Sequence, residues 1–234
     1  MEKFRIISVA LLAMICSSAS AQYDDYGNWH ESRYIKDSHS YDDEFEEGWC
    51  NFYAEYAPLK LMTTAHGAED RLYNTATIGF SYNYPLGASI ASVELGFETS
   101  GSWFSERLDN GIKSSLSFYH SKVPLNLALV LPIADGFWVV PYGGINVKWN
   151  IYGVEYYGND RYVIFDEDYM NDYDYNRFQL GYQAGLKLVI ANCFSIGASW
   201  KADITPFCSY YNDYSRDDEK ERFKGFSFSL GYCF

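Results

Sequence analysis

The carboxyl-terminal stretch Phe223-Lys224-Gly225-Phe226-Ser227-Phe228-Ser229-Leu230-Gly231-Tyr232-Cys233-Phe234 decides the fold. Phe226, Phe228, Leu230, Tyr232 and Phe234 alternate with Gly225, Ser227, Ser229, Gly231 and Cys233, a strict period of two that belongs to a β-strand. One face is large, apolar and aromatic; the other is small and polar. In water such a terminal strand would promote aggregation, whereas in a bilayer its apolar face is the solvated one. The stretch therefore reads as the closing strand of a transmembrane β-barrel, with lipid outside and a narrow lumen inside.

The start of the chain agrees with its end. Lys3 and Arg5 precede the apolar run from Ile6 to Ile15, and Ala19-Ser20-Ala21 has the A-x-A form of a cleavage site, so residues 1–21 read as a signal peptide. Cys16 raises the alternative of lipidation, but Ile15 is too bulky for the position before a lipidated cysteine. No later segment approaches the roughly 20 apolar residues of a membrane-spanning helix. Aromatics make up 19% of the chain, the excess that lipid-facing strands and interfacial girdles require. The formal charge is −13, and because Glu2, Lys3 and Arg5 of the leader sum to +1, the remainder carries −14. Nucleic acid is excluded as an expected partner on that charge.

Residues 22–49 are acidic and tyrosine-rich without apolar periodicity, and read as a flexible, solvated periplasmic segment. Its tyrosines as contact points, or His30 and His39 as a loose metal site, are alternatives that the spacing does not support. Residues 50–234 carry eight alternating segments, near 50–64, 73–84, 89–100, 112–131, 137–151, 176–190, 194–207 and 223–234. The connections at Pro85 to Ala88, Ala134 to Gly136 and Ala191 to Cys193 are tight, and those at 65–72, 101–111, 152–175 and 208–222 are long and polar. Strict alternation of short and long connections predicts an all-β, eight-stranded antiparallel barrel with short periplasmic turns and long extracellular loops.

Face assignment puts Glu94, Glu98, Lys122, Lys148, Arg177, Lys187, Lys201 and Asp203 inside. An eight-stranded barrel is just wide enough for such side chains to fill it, so a network of paired charges closing the lumen is expected, with a narrow pore as the alternative. The first strand conflicts with the rule, since Leu59 and Leu61 share parity with Glu55. A bulge at Pro58 would switch parity and turn both leucines to lipid. Cys50, Cys193 and Cys233 all map to the periplasmic end, where Cys50–Cys233 and Cys193–Cys233 are rival disulfides.

Several segments together resemble one family: Tyr82-Asn83-Tyr84-Pro85-Leu86, Glu94-Leu95-Gly96, Lys122-Val123-Pro124-Leu125-Asn126-Leu127, Pro141-Tyr142-Gly143-Gly144, Arg177-Phe178-Gln179-Leu180-Gly181-Tyr182-Gln183-Ala184-Gly185 and Leu230-Gly231-Tyr232-Cys233-Phe234. Over residues 70–234 the chain resembles the PorT-like outer-membrane barrels common in Bacteroidetes. The resemblance implies a small barrel of the OmpA or OmpX kind, exported to the Gram-negative outer membrane. It also implies insertion by the barrel-assembly machinery, which reads the terminal strand bearing Phe226, Phe228, Leu230, Tyr232 and Phe234. It implies no catalytic motif, and the secretion role of PorT itself does not follow from fold.

Catalysis is not expected. His120 is the strand-borne histidine with an adjacent hydroxyl, but Ser121 points to the opposite face. The third long connection carries Glu155, Asp160, Asp166, Glu167, Asp168, Asp172 and Asp174 among tyrosines. An EF-hand is ruled out there, because Arg177 stands where glycine belongs and Gln183 where the bidentate glutamate belongs. The expectation is a monomer without cofactor, embedded in outer-membrane lipid, whose acidic loops meet a surface ligand or protein.

Overall fold

In the computed structural model, described for residues 48–64, 70–86, 90–107, 111–165, 173–212 and 217–234, the chain forms one closed antiparallel barrel. The expected leader and most of the acidic segment lie outside the described residues. Eight strands make the wall: β1 (Trp49–Thr63), β2 (Arg71–Pro85), β3 (Ala91–Arg107), β4 (Lys113–Leu129), β6 (Phe137–Tyr157), β9 (Phe178–Ile190), β10 (Phe194–Asp203) and β12 (Asp217–Cys233). Four short strands extend it: β5 (Leu131–Ala134), β7 (Asp160–Val163), β8 (Tyr173–Tyr175) and β11 (Cys208–Asn212). Pairing runs β1-β2-β3-β4-β6-β9-β10-β12 and closes through β1 and β12, from Asn51 opposite Cys233 to Thr63 opposite Glu221.

Alternation sorts the two faces. Leu127, Phe226, Phe228 and Leu230 are each more than half exposed, while Asn83, Asn126 and Gln179 are sealed inside. Polar-in, apolar-out is the inverse of a water-soluble barrel, and every strand keeps it across the membrane. At the periplasmic end, Ile190 to Cys193 closes β9 onto β10 through a two-residue turn. Cys193 N donates to Ile190 O at 3.2 Å, and Ala191 and Asn192 have φ of 51° and 55°. Both central residues are left-handed, the type I′ geometry that matches strand twist.

Two expectations about the strands are corrected. No bulge occurs at Pro58: the β1–β2 register is unbroken from Trp49 opposite Asn83 to Leu61 opposite Arg71, so Leu59 and Leu61 stay on the inward parity of Glu55. They are accommodated because the lumen is apolar at that height. A bulge does occur in β6, where the register shifts between Tyr119 and His120 of β4. Ile151 is the extra residue, and Gly153 rather than Tyr152 turns inward. The long connections 101–111, 152–175 and 208–222 are also largely strand, since β3, β6 and β12 run 17, 21 and 17 residues where a membrane needs only about 9–11. Charged outward residues hid these extensions, because strands above the bilayer no longer need an apolar face.

Candidate functional site

The lumen is filled at three levels. The middle level pairs four lysines with four carboxylates. Lys122 Nζ lies 2.6 Å from Glu98 Oε2, Lys148 Nζ 2.8 Å from Asp203 Oδ1, Lys187 Nζ 2.9 Å from Glu94 Oε2, and Lys201 Nζ donates to Glu55 Oε2 at 2.7 Å. Lys201 also stands 3.7 Å from Glu98, which links two of the pairs. Neutral groups complete the shells: Tyr53 Oη donates to Glu98 Oε1 at 2.8 Å, Ser227 Oγ to Glu55 Oε2 at 3.0 Å, and Gln179 Nε2 to Asp203 Oδ2 at 3.0 Å. Burying an ion costs several kcal/mol, roughly, unless it is paired and its remaining hydrogen-bonding positions are filled; the ladder pairs every one of these ions and fills part of those positions.

Lys148, Lys187 and Lys201 reach carboxylates on strands that are not their hydrogen-bonded neighbours, so these three pairs cross the lumen, whereas Glu98 and Lys122 stand directly opposite each other on adjacent β3 and β4. Glycine makes room for two aromatic rings among them. A Cβ at Gly79 would fall 2.4 Å from the Tyr53 ring, and one at Gly185 would fall 2.8 Å from the Tyr142 ring. Both rings therefore lie flat over a glycine of the neighbouring strand. The cavity left among Asn51, Tyr53, Glu94, Glu98, Tyr142 and Lys187 is about 20 Å³, room for a single water.

The outer level is an aromatic cluster of Leu61, Tyr73, Leu116, Phe118, Ile164, Phe165, Tyr175, Phe207 and Phe223. Phe118 is its hub, with ring centroids 4.9 Å from Phe207 and 5.6 Å from Phe223. Ile164 and Phe165 descend from the segment after β7, and Gly153 permits it, since a Cβ there would lie 2.6 Å from Ile164. At the inner level Trp49 meets Trp138 edge-on at 5.9 Å, Val140 and Val189 are buried on the inward parity of β6 and β9, and Val130 is buried between β4 and β5.

Of the residues expected inside, Glu94, Glu98, Lys122, Lys148, Lys187, Lys201 and Asp203 line the middle level. Arg177 does not: it is exposed at the outer rim, donates to the Phe165 carbonyl and lies over the Phe165 ring at 5.5 Å. The chain leaves regular pairing between β8 and β9 at Arg177, which frees its side chain to hold the descending segment. Glu55 was missed as a lumen ligand because its parity conflicted with two leucines. The outer cluster left a legible signal, in that Leu61, Tyr73, Phe118 and Phe223 all sit on inward parity near the outer ends of their strands. Among the rival disulfides, Cys50 has the outward parity of Phe52 and Cys233 the inward parity of Gly231, so these two thiols cannot face each other. Cys193 is the backbone neighbour of Cys233, whose N donates to its carbonyl at 2.6 Å; all described cysteines are thiols. His120 is buried in the lumen against Phe118, on the face opposite Ser121.

Above the outer cluster a cavity of about 340 Å³ opens among Leu61, Arg71, Phe104, Glu106, Tyr210 and Glu221. Burial, with Glu155 and Glu219 nearby, raises the Glu221 carboxyl above its usual range against the pull of Arg71. Burial and a hydrogen bond to Glu219 push the Tyr210 phenol up to about 12. Among the described residues, no group of histidine, cysteine, aspartate or glutamate is arranged to hold a metal ion. Most of the acids of the third long connection, residues 166–172, lie outside the described set.

A closed transmembrane barrel with lipid-facing aromatics, a salt-bridged lumen and strands that rise beyond the bilayer defines an integral outer-membrane protein. The chain belongs to the family described as the outer membrane protein beta-barrel domain, whose model matches residues 7–234. No curated protein matches the chain. Among solved structures it is similar to Ail, the attachment invasion locus protein of Yersinia pestis, at 15% identity and a TM-score of 0.43, covering 80% of this chain and 99% of Ail. It is likewise similar to Neisserial surface protein A at 9% identity and 0.45, covering 79% and 96%. OprG from Pseudomonas aeruginosa matches at 12% identity and 0.42, covering 80% and 95%.

Proposed function

We propose that this outer-membrane protein is a non-conducting, non-catalytic anchor that holds a structured extracellular surface. The observation that carries the reading is the lumen itself: four ion pairs, three of them crossing it, lie between two apolar plugs, and the cavity among them admits about one water. The surface it holds is made by the outer ends of β3, β4, β6, β11 and β12, where Tyr156 and Tyr157 are more than two-fifths exposed beside acidic residues. Tyrosine supplies contact area at low entropic cost, and rim charges set specificity. The resemblance to PorT-like barrels of Bacteroidetes, export on the leader of residues 1–21, assembly through the terminal aromatic strand and a monomeric state belong to the same reading.

Liposome swelling tests it. Vesicles holding the folded barrel should swell in small sugars and amino acids no faster than empty vesicles. Replacing residues 156–161 with a short Gly-Ser turn should alter adhesion of cells displaying the protein without altering its heat-shifted gel mobility. Solute-selective swelling, or adhesion unchanged by the replacement, would overturn the reading.

A further inference from the structure

The segment Glu219-Lys220-Glu221-Arg222-Phe223-Lys224 of β12 alternates in charge with a period of two. Its acids take the inward parity of Phe223 and Gly225. Lys220, Arg222 and Lys224 take the outward parity of Phe226, Phe228 and Leu230. Across the seam, Lys60 of β1 is the direct partner of Lys224, and Met62 is the partner of Arg222, in a register with no irregularity from Asn51 to Thr63. Four cations thus converge on one outward face of a chain that is strongly acidic overall.

Their height is set by the residues beneath them. Tyr56 and Phe226 are 47% and 59% exposed on the same outward face, and Trp200 packs edge-on against Phe226 at 4.8 Å. Such aromatics mark the membrane interface. Lys224 stands two residues above Phe226, about 7 Å along the strand, and Arg222 about 13 Å. That is the depth of lipid headgroups, beyond the hydrocarbon and short of bulk water.

Like charges directly opposite across an antiparallel pair repel. Asp70, 3.9 Å from Lys60, is the one carboxylate paired into this patch among the described residues. Among the described residues, Lys220, Arg222 and Lys224 form no ion pair. Among the described residues, four cations against one paired carboxylate leave an excess of positive charge at headgroup depth. We propose that the outward face of the β1–β12 seam binds the phosphate-bearing headgroup of a lipid in the outer leaflet, with Lys60 and Lys224 on one phosphate and Arg222, whose fork suits phosphate bidentately, above them. The apolar part of the same lipid lies on Phe226, Phe228 and Tyr56. A smaller like-charged pair, Arg107 opposite Lys113, caps β3 and β4 and has no further cation beside it in the register.

The test uses the mature chain in nanodiscs of zwitterionic lipid, titrated with a lipid bearing a phosphate monoester and followed by native mass spectrometry of the retained lipid. Wild type should retain it in preference to the zwitterionic lipid, with retention falling as salt rises. Lys60→Gln/Lys224→Gln should weaken retention at least tenfold, and Lys60→Arg/Lys224→Arg should restore it. Arg107→Gln/Lys113→Gln should change it less than threefold. Folding is checked by heat-shifted mobility, and the salt dependence of wild type stands without any variant. Equal retention by wild type and Lys60→Gln/Lys224→Gln, or an equal loss in both glutamine pairs, would overturn the site. Displacement by millimolar inorganic phosphate would show that a free anion rather than a lipid is its occupant, and would overturn it as well.

Discussion

Glu98→Gln isolates the ladder's central link. Glu98 is 2% exposed, accepts from Tyr53 at 2.8 Å, and faces Lys122 at 2.6 Å and Lys201 at 3.7 Å. With an effective dielectric near 20, the gross attractions are roughly 6 and 4.5 kcal/mol. Desolvation offsets most of this, so the observable loss is that of stranding Lys122 as an uncompensated buried charge, about 3–5 kcal/mol. Lys201 keeps Glu55 and limits the damage to one cation. The assay is urea unfolding from lipid vesicles, read by tryptophan fluorescence and heat-shifted mobility. Glu98→Gln/Lys122→Met removes both charges and should recover at least about half of the loss, because an apolar replacement of a buried pair is often neutral. A loss below about 1 kcal/mol in the single variant, or no recovery in the double, would refute the ladder as a stabilised network.

Three further outcomes follow from the same geometry. Phe118→Ala removes the hub of the outer cluster and should cost about 3–5 kcal/mol in the same unfolding assay, with the outer ends of β4 and β12 losing hydrogen-exchange protection first. Ala191→Asn/Asn192→Gly puts the preferred Asn-Gly pair into the type I′ turn and should stabilise by about 0.5–1 kcal/mol. The Glu221 carboxyl is raised in the folded barrel, so the folded state holds its proton more tightly than the unfolded chain. Its contribution is best below the unfolded value and is lost as pH rises through the folded one. Glu221→Gln should therefore raise the urea midpoint at pH 7 and flatten its dependence on pH above about 4.5.

The membrane-spanning wall was legible because lipid enforces alternation residue by residue. The strict period at Phe226 to Tyr232, and the Leu125-Asn126-Leu127 pattern of β4, each name their faces without help. Legibility ended where lipid ended. Lys220, Arg222 and Lys224 continue the strand beyond the hydrocarbon, but with charges on both faces they look like loop. The inner face was harder to read, because a lumen can be filled by a salt bridge at one height and by Phe118 at another, and sequence carries no height. Glu55 and Leu61 appeared contradictory for that reason alone. They sit on the same face at different levels, one beside Lys201 and the other packed with Tyr73 and Phe223, and no bulge is needed to reconcile them.

Closure of the lumen is the claim on which the functional reading rests, and single-channel recording from the folded barrel in a planar bilayer tests it most directly. A current indistinguishable from the bare membrane, from protein whose heat-shifted mobility shows that it is folded, is the predicted result. Regular conductance steps from that same folded protein would contradict it, because ions can cross only if the Lys–carboxylate ladder and both apolar plugs leave a continuous wet path.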